Sequence, residues 1–82
     1  MYYYLPVREQ LSSPYVGNYV AYGIRALETD GGDWREVAFV SDISTSSSFT
    51  KRLAKLFTDG QLAPIHFLDA VLDAIEAPVS HQ

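Results

Sequence analysis

Two short constellations in this chain have the residue types and spacing to do chemistry. The first is Val37–Thr45 (VAFVSDIST), an apolar run ending in Asp42, with Ser44 and Thr45 just beyond it. It has the outline of a phosphotransfer motif, in which a strand delivers a nucleophilic Asp, followed by a second acid and a Thr. Ser44 stands where the second acid belongs, and neither a following Lys nor a Mg²⁺-binding acid loop is evident. The same residue types routinely cap helices: short hydroxyls and a carboxylate satisfy the free N–H groups of a helix start, where negative charge is also favoured. Capping is therefore the expectation for Asp42. The second constellation is His66, Asp69 and Asp73, spaced i, i+3 and i+7 so that all three share a helix face. Imidazole and carboxylate are ordinary ligands of divalent ions. No second ligand cluster accompanies them, and a solvated face with His66 paired to Asp69 accounts for the pattern. The chain is accordingly expected to be non-enzymatic, with no catalytic residue, metal or cofactor.

A third set suits recognition better than reaction. Tyr19, Gly23, Leu27, Trp34, Ala38 and Val40, joined by Tyr2 and Tyr4, would make one sheet face too apolar for plain solvent exposure. That assignment rests on a hairpin, Val20–Ser41, closed by Asp30-Gly31. Asp-Gly suits a two-residue type I′ turn because both positions need positive φ. The turn would pair Leu27 with Trp34, Arg25 with Glu36, Ile24 with Val37 and Tyr22 with Phe39. Paired residues share a face. The core face would then carry Val20, Tyr22, Ile24, Ala26, Val37 and Phe39, and the outer face the candidate set. Arg25 and Glu36 would meet as a cross-strand ion pair. Gly23, opposite Ala38, would leave a shallow spot for a partner's backbone or ring, unless Tyr2 or Tyr4 covers it.

The flanking segments are read around this hairpin. Tyr2–Glu9 is β-prone, and Pro6 confines it to an edge. Gln10–Asn18 is turn-rich and reads as a link. Asp42–Ser48 is a polar connector. Phe49, Leu53, Leu56 and Phe57 form a helical stripe, with Lys51, Lys55 and Thr58 on the far side and Gly60 as a left-handed cap. Pro64 suits a first helical position. Ile65, Leu68, Val71, Leu72 and Ile75, widened by Phe67 and Ala74, give an apolar arc facing the sheet. Pro78 is expected to end that helix, with residues 79–82 frayed. The predicted fold is α+β: a three-stranded antiparallel β-meander with two antiparallel helices packed on one face. One domain spans residues 1–82, with strands at about 2–9, 18–29 and 32–41 and helices at about 46–59 and 64–77.

Composition bounds the function. The chain has 82 residues, a net charge of −4 and no cysteine, which excludes disulfides and thiolate metal sites. The negative charge weighs against nucleic acid. The alternative of a nucleic-acid regulator would use the Lys51, Arg52 and Lys55 helix or the aromatic sheet face. No apolar run reaches the ~18–20 residues of a membrane span, and no signal core follows a basic start. A cytoplasmic protein is expected.

Four strings, Tyr4–Glu9 (YLPVRE), Tyr22–Arg25 (YGIR), Val37–Thr45 and Leu62–His66 (LAPIH), resemble a family of short uncharacterised proteins from clostridial-type Gram-positive bacteria. The resemblance covers most of the chain in order and implies a shared fold without implying an activity. That family favours Ser before the proline of the last helix. Ala63 stands there, which removes a capping oxygen at a typical cost of ~1 kcal/mol. The functional expectation is a small interaction module that self-associates, as a possible homodimer, or docks a protein. The contact would be the outer sheet face or the free edge of the third strand.

Overall fold

The backbone groups of Tyr2–Ser13 find their partners in Gly17–Glu28, and this pairing builds the sheet. The structure is a computed structural model and describes residues 1–76. Strand β1 is Tyr2–Ser13, β2 is Gly17–Glu28 and β3 is Arg35–Ser44, followed by helices α1 (Ser47–Asp59) and α2 (Phe67–Glu76). The sheet is antiparallel in the order β1-β2-β3, so Pro6 does lie on an edge, where its missing N–H does no harm. The expected helical residue 77, the stop at Pro78 and the frayed residues 79–82 lie outside the described residues.

The β1–β2 ladder is longer than the turn-rich composition suggests. It runs unbroken from Tyr2↔Glu28 to Ser13↔Gly17, leaving only residues 14–16 as the turn. Gly17 takes φ +77°, and the Ser13 hydroxyl accepts the Tyr15 N–H at 3.1 Å. The breakers on either side of Tyr15-Val16 thus mark the two ends of one tight turn, and Gln10–Ser13 is strand.

The β2–β3 connection departs from the two-residue turn, and a bulge beyond it moves side chains to the other face. Thr29 pairs its backbone with Met1 in both directions, at 3.0 and 3.1 Å. Its hydroxyl accepts the Gly31 N–H and donates to the Gly32 carbonyl. These bonds hold open a connection of residues 29–34, in which Gly31 takes φ +108°. The register then slips once more. Leu27 pairs with Glu36 but Ala26 pairs with Ala38, leaving Val37 as an extra residue. One inserted residue reverses the alternation of everything beyond it. Val37 and Phe39, assigned above to the core, therefore lie on the outer face and are exposed. Ala38 and Val40, assigned above to the outer face, pack against the core under the helices. A second irregularity, between Ile24↔Val40 and Tyr22↔Ser44, holds Asp42 at φ +56°. Ile43, read above as part of a connector, becomes a buried core residue there.

Tyr2 and Tyr4 also belong to the helix side. Tyr4 is only 2% exposed. Its ring meets Phe57 edge-on at 5.5 Å and Phe67 at 5.1 Å, and those two rings lie 6.0 Å apart. Its hydroxyl donates to the Leu62 carbonyl at 2.6 Å. Ile24, Ala26, Ile43, Leu53, Ala54 and Val71 complete the core, which places both helices on one side of the sheet.

Each helix is turned relative to the sequence reading. Ser46 caps α1 by accepting the Phe49 N–H, and the Ser44 hydroxyl accepts the Ser46 N–H. Helix α1 buries Thr50, Leu53, Ala54 and Phe57, leaving Leu56 exposed. Thr58 faces the sheet, its hydroxyl accepting the Tyr4 N–H at 2.8 Å. Gly60 is right-handed, at φ −85°, and the left-handed position falls to Gln61. Paired bonds from Gln61 N–H to the Thr58 carbonyl and from Leu62 N–H to the Phe57 carbonyl close the helix end. A single 3-10 turn at Pro64–His66 leads into α2, which buries Phe67 and Val71. Ile65, Leu68, Leu72 and Ile75 remain exposed. The arc was too broad for one sheet to cover, and the Phe67 ring against Tyr4 and Phe57 sets which part is buried.

Ala63 takes the extended cap conformation without a side-chain bond. Ala63→Ser is expected to stabilise the fold by ~1 kcal/mol, raising the thermal midpoint by roughly 4–8 °C. Burial, aided by the neighbouring Tyr2 phenol, pushes the Tyr4 hydroxyl up to about 12. An unfolded tyrosine titrates near 10, so the Tyr4 contribution is complete below about pH 10 and is lost as the pH climbs towards 12. Tyr4→Phe should lower stability by about 1–2 kcal/mol at neutral pH. Urea midpoints measured from pH 9 to 12 should fall less steeply in that variant.

Candidate interaction face

The side of the sheet away from the helices is built by the odd-numbered residues of β1 and β2. The register places Tyr3 beside Leu27, Leu5 beside Arg25, Val7 beside Gly23 and Glu9 beside Ala21. Strand β3 adds Glu36, Val37, Phe39 and Ser41, and Trp34 folds over from the preceding connection. Among the described residues, none of these belongs to the core that the helices cover. Tyr3 and Trp34 meet edge-on, ring centres 6.3 Å apart, and remain 44% and 47% exposed; Phe39 is 41% exposed. Arg25 Nε lies 2.8 Å from Glu36 Oε1, the ion pair the sequence suggested. The bulge brings the pair together diagonally, since Arg25 stands opposite Phe39 in the ladder.

The far end of the face is polar and hydrogen-bonded. The Glu9 carboxylate reaches across β2 to β3, accepting the Ser41 hydroxyl at 2.7 Å on one oxygen and the Asp42 N–H at 2.8 Å on the other. Tyr19 donates its hydroxyl to Asp42 Oδ2 at 2.8 Å. That bond to a carboxylate, with lesser help from desolvation and the charges of Asp42 and Glu9, raises the Tyr19 pKa. Asp42 is thus a sheet residue held left-handed beside Tyr19, and the Ser44 and Ser46 hydroxyls do the capping.

Of the candidate residues, Tyr19, Gly23, Leu27 and Trp34 lie on this face, whereas Tyr2, Tyr4, Ala38 and Val40 lie on the other. Gly23 is buried, not an open spot. A Cβ there would stand 2.5 Å from the Val40 carbonyl oxygen, 2.9 Å from Glu9 Oε2 and 3.2 Å from the Phe39 ring. Tyr3, Val37 and Phe39 are the members that the sequence reading missed. Strict alternation from Leu5 and Val7 identifies Tyr3, but nothing in the local sequence announces the bulge that delivers Val37 and Phe39.

The other candidates resolve simply. Strand β3 is an edge, yet its two irregularities break the flat row of backbone groups that strand addition needs. The β1 edge is occupied where it meets the helices: Gln61 bonds both backbone groups of Tyr2, at 2.8 and 2.9 Å. Lys51, Arg52 and Lys55 are exposed on α1, with Lys55 tied to Asp59 at 2.8 Å. That bond raises the Lys55 pKa. His66, Asp69 and Asp73 are exposed. Among the described residues, His66 and Asp69 form no ion pair, and no group of three or more His, Asp or Glu is placed to hold a metal. No helix among them is long and apolar enough to cross a membrane.

The chain matches the Family of unknown function (DUF6514) over residues 1–77. It belongs to that family. The match takes in every described element, so the helix-covered and uncovered sheet faces both fall within the family's span. No curated protein and no solved structure matches the chain.

Gly23→Ala tests the close approach that shapes this face. The new methyl meets backbone at Val40, which cannot swing aside as a side chain can. A loss of about 3 kcal/mol, towards the upper end of ordinary overpacking, is expected in urea denaturation.

Proposed function

We propose that this protein is a small, non-enzymatic interaction module, cytoplasmic and bacterial, that binds protein through the uncovered sheet face. The preferred occupant is a second copy of itself. The observation that supports this is the grouping of Tyr3, Trp34, Val37 and Phe39 as exposed side chains on one continuous surface. Tyr and Trp are the side chains that most often anchor interfaces, since they offer large apolar area with few rotatable bonds. The Arg25–Glu36 pair lies among them and can supply polar register. The same face is a poor platform for nucleobases. Stacking surfaces of that kind are bordered by free Lys and Arg, whereas here Arg25 is neutralised by Glu36, and Glu9 and Asp42 add negative charge. The bulges of β3 favour face-to-face contact over edge pairing.

Sedimentation velocity on wild type, Trp34→Glu and Phe39→Glu tests this reading. Wild type should associate reversibly, with both variants weakened by at least about tenfold, roughly 1.4 kcal/mol. A wild type that stays monomeric at the highest attainable concentration would remove self-association.

A further inference from the structure

Helix α2 carries more apolar surface than one sheet can use. Phe67 and Val71 are buried, and Ala70 and Ala74 pack beside them. Ile65, in the 3-10 turn that leads into α2, and Leu68, Leu72 and Ile75 on the helix follow one another at spacings of three, four and three residues. That is the a/d spacing of a helix that packs on another helix. They are nonetheless 84%, 56%, 47% and 44% exposed. At 3.6 residues per turn the stripe lies between the buried face and a line of acids, Asp69, Asp73 and Glu76. Those acids form no ion pair among the described residues. At its C-terminal end the stripe meets a shallow depression lined by Ile43, Ser44, Ser46, Phe49, Ala74 and Ile75.

We propose that this face of α2 docks an amphipathic helix whose own apolar stripe is bordered by Lys and Arg. The charge selects the occupant. A two-fold antiparallel pairing of α2 with a second α2 would set Asp69 and Glu76 of each copy along the same rim, where like charges repel. Nucleic acid and an anionic bilayer are disfavoured by the same carboxylates. A basic amphipathic helix buries the four apolar side chains and neutralises the acids together, which is helix-in-groove recognition with an electrostatic selector. The stripe spans ~15 Å, so about three helical turns of the partner suffice. This site is a different surface from the sheet face and does not depend on it.

The probes are two fluorescein-labelled peptides of about four helical turns, with Leu at the a and d positions and either Lys or Glu elsewhere. Anisotropy titrations use the full chain as wild type, Leu68→Gln/Leu72→Gln, Asp69→Asn/Asp73→Asn and Trp34→Glu. The substituted helix residues are exposed, so each variant should keep the wild-type circular dichroism and melting curve. The Leu/Lys peptide should bind wild type and Trp34→Glu equally. It should lose at least about tenfold affinity for the Leu68/Leu72 variant and weaken for the Asp69/Asp73 variant. The Leu/Glu peptide should not bind. Equal binding of the Leu/Lys peptide to wild type and the Leu68/Leu72 variant would show charge attraction alone and overturn the proposal. So would comparable binding of the Leu/Glu peptide, or a homodimer abolished by Leu68→Gln/Leu72→Gln but kept by Trp34→Glu. A failure confined to Trp34→Glu in sedimentation would instead count against the sheet-face reading.

Discussion

The fold depends on one residue making bonds in three directions. The Tyr4 ring is the point where β1, α1 and α2 meet, since it packs edge-on against Phe57 and Phe67 together. Its hydroxyl satisfies the Leu62 carbonyl in the link between the helices, and its backbone N–H bonds the Thr58 hydroxyl at the end of α1. A buried Tyr must place its hydroxyl somewhere, and here the partner is a backbone carbonyl of the link between the helices. This arrangement fixes which side of β1 faces the helices. Gln61 reinforces it by pairing with Tyr2 as a neighbouring strand would, while itself sitting left-handed at φ +51°. A glycine would hold that backbone without strain but would leave the Tyr2 edge unpaired.

The second constraint is the inserted residue in β3. Val37 shifts the phase of the strand, and Ala38 and Val40 become small lids over the core while Phe39 moves to the outer face. Beyond it the strand bends again at Asp42, where the Glu9 carboxylate bonds the irregular backbone and Gly23 provides the room. Glu9, Gly23 and Asp42 lie far apart in sequence and act as one structural unit. Asp42, the acid of the phosphotransfer outline, is thus part of this irregularity, its N–H bonded by Glu9 and its carboxylate accepting the Tyr19 hydroxyl.

A chain of this size has little core to share among its apolar side chains. Two surfaces are left over: the sheet face with Trp34 and Phe39, and the α2 stripe from Ile65 to Ile75. They differ in chemistry. The sheet face is aromatic with its charge paired internally, whereas the helix stripe is aliphatic and flanked by acids that form no ion pair among the described residues.

The sequence by itself determined the element order, the antiparallel β-β-β-α-α class, the edge position of the strand holding Pro6 and membership in a family without an assigned activity. These follow from local signals, namely turn residues, alternation and helical spacing, which depend on near neighbours. Only the tertiary structure decided the faces: Tyr4 inward, Phe39 outward, Ser46 in place of Asp42 as the cap, and α2 turned by the Phe67 ring. The physical reason is that a strand's facing has a period of two and reverses with one inserted residue. The Val37 bulge and the irregularity at Asp42 are accompanied by long-range contacts, Thr29 with Met1 and Glu9 with Asp42, that the residues on either side of the turn do not announce.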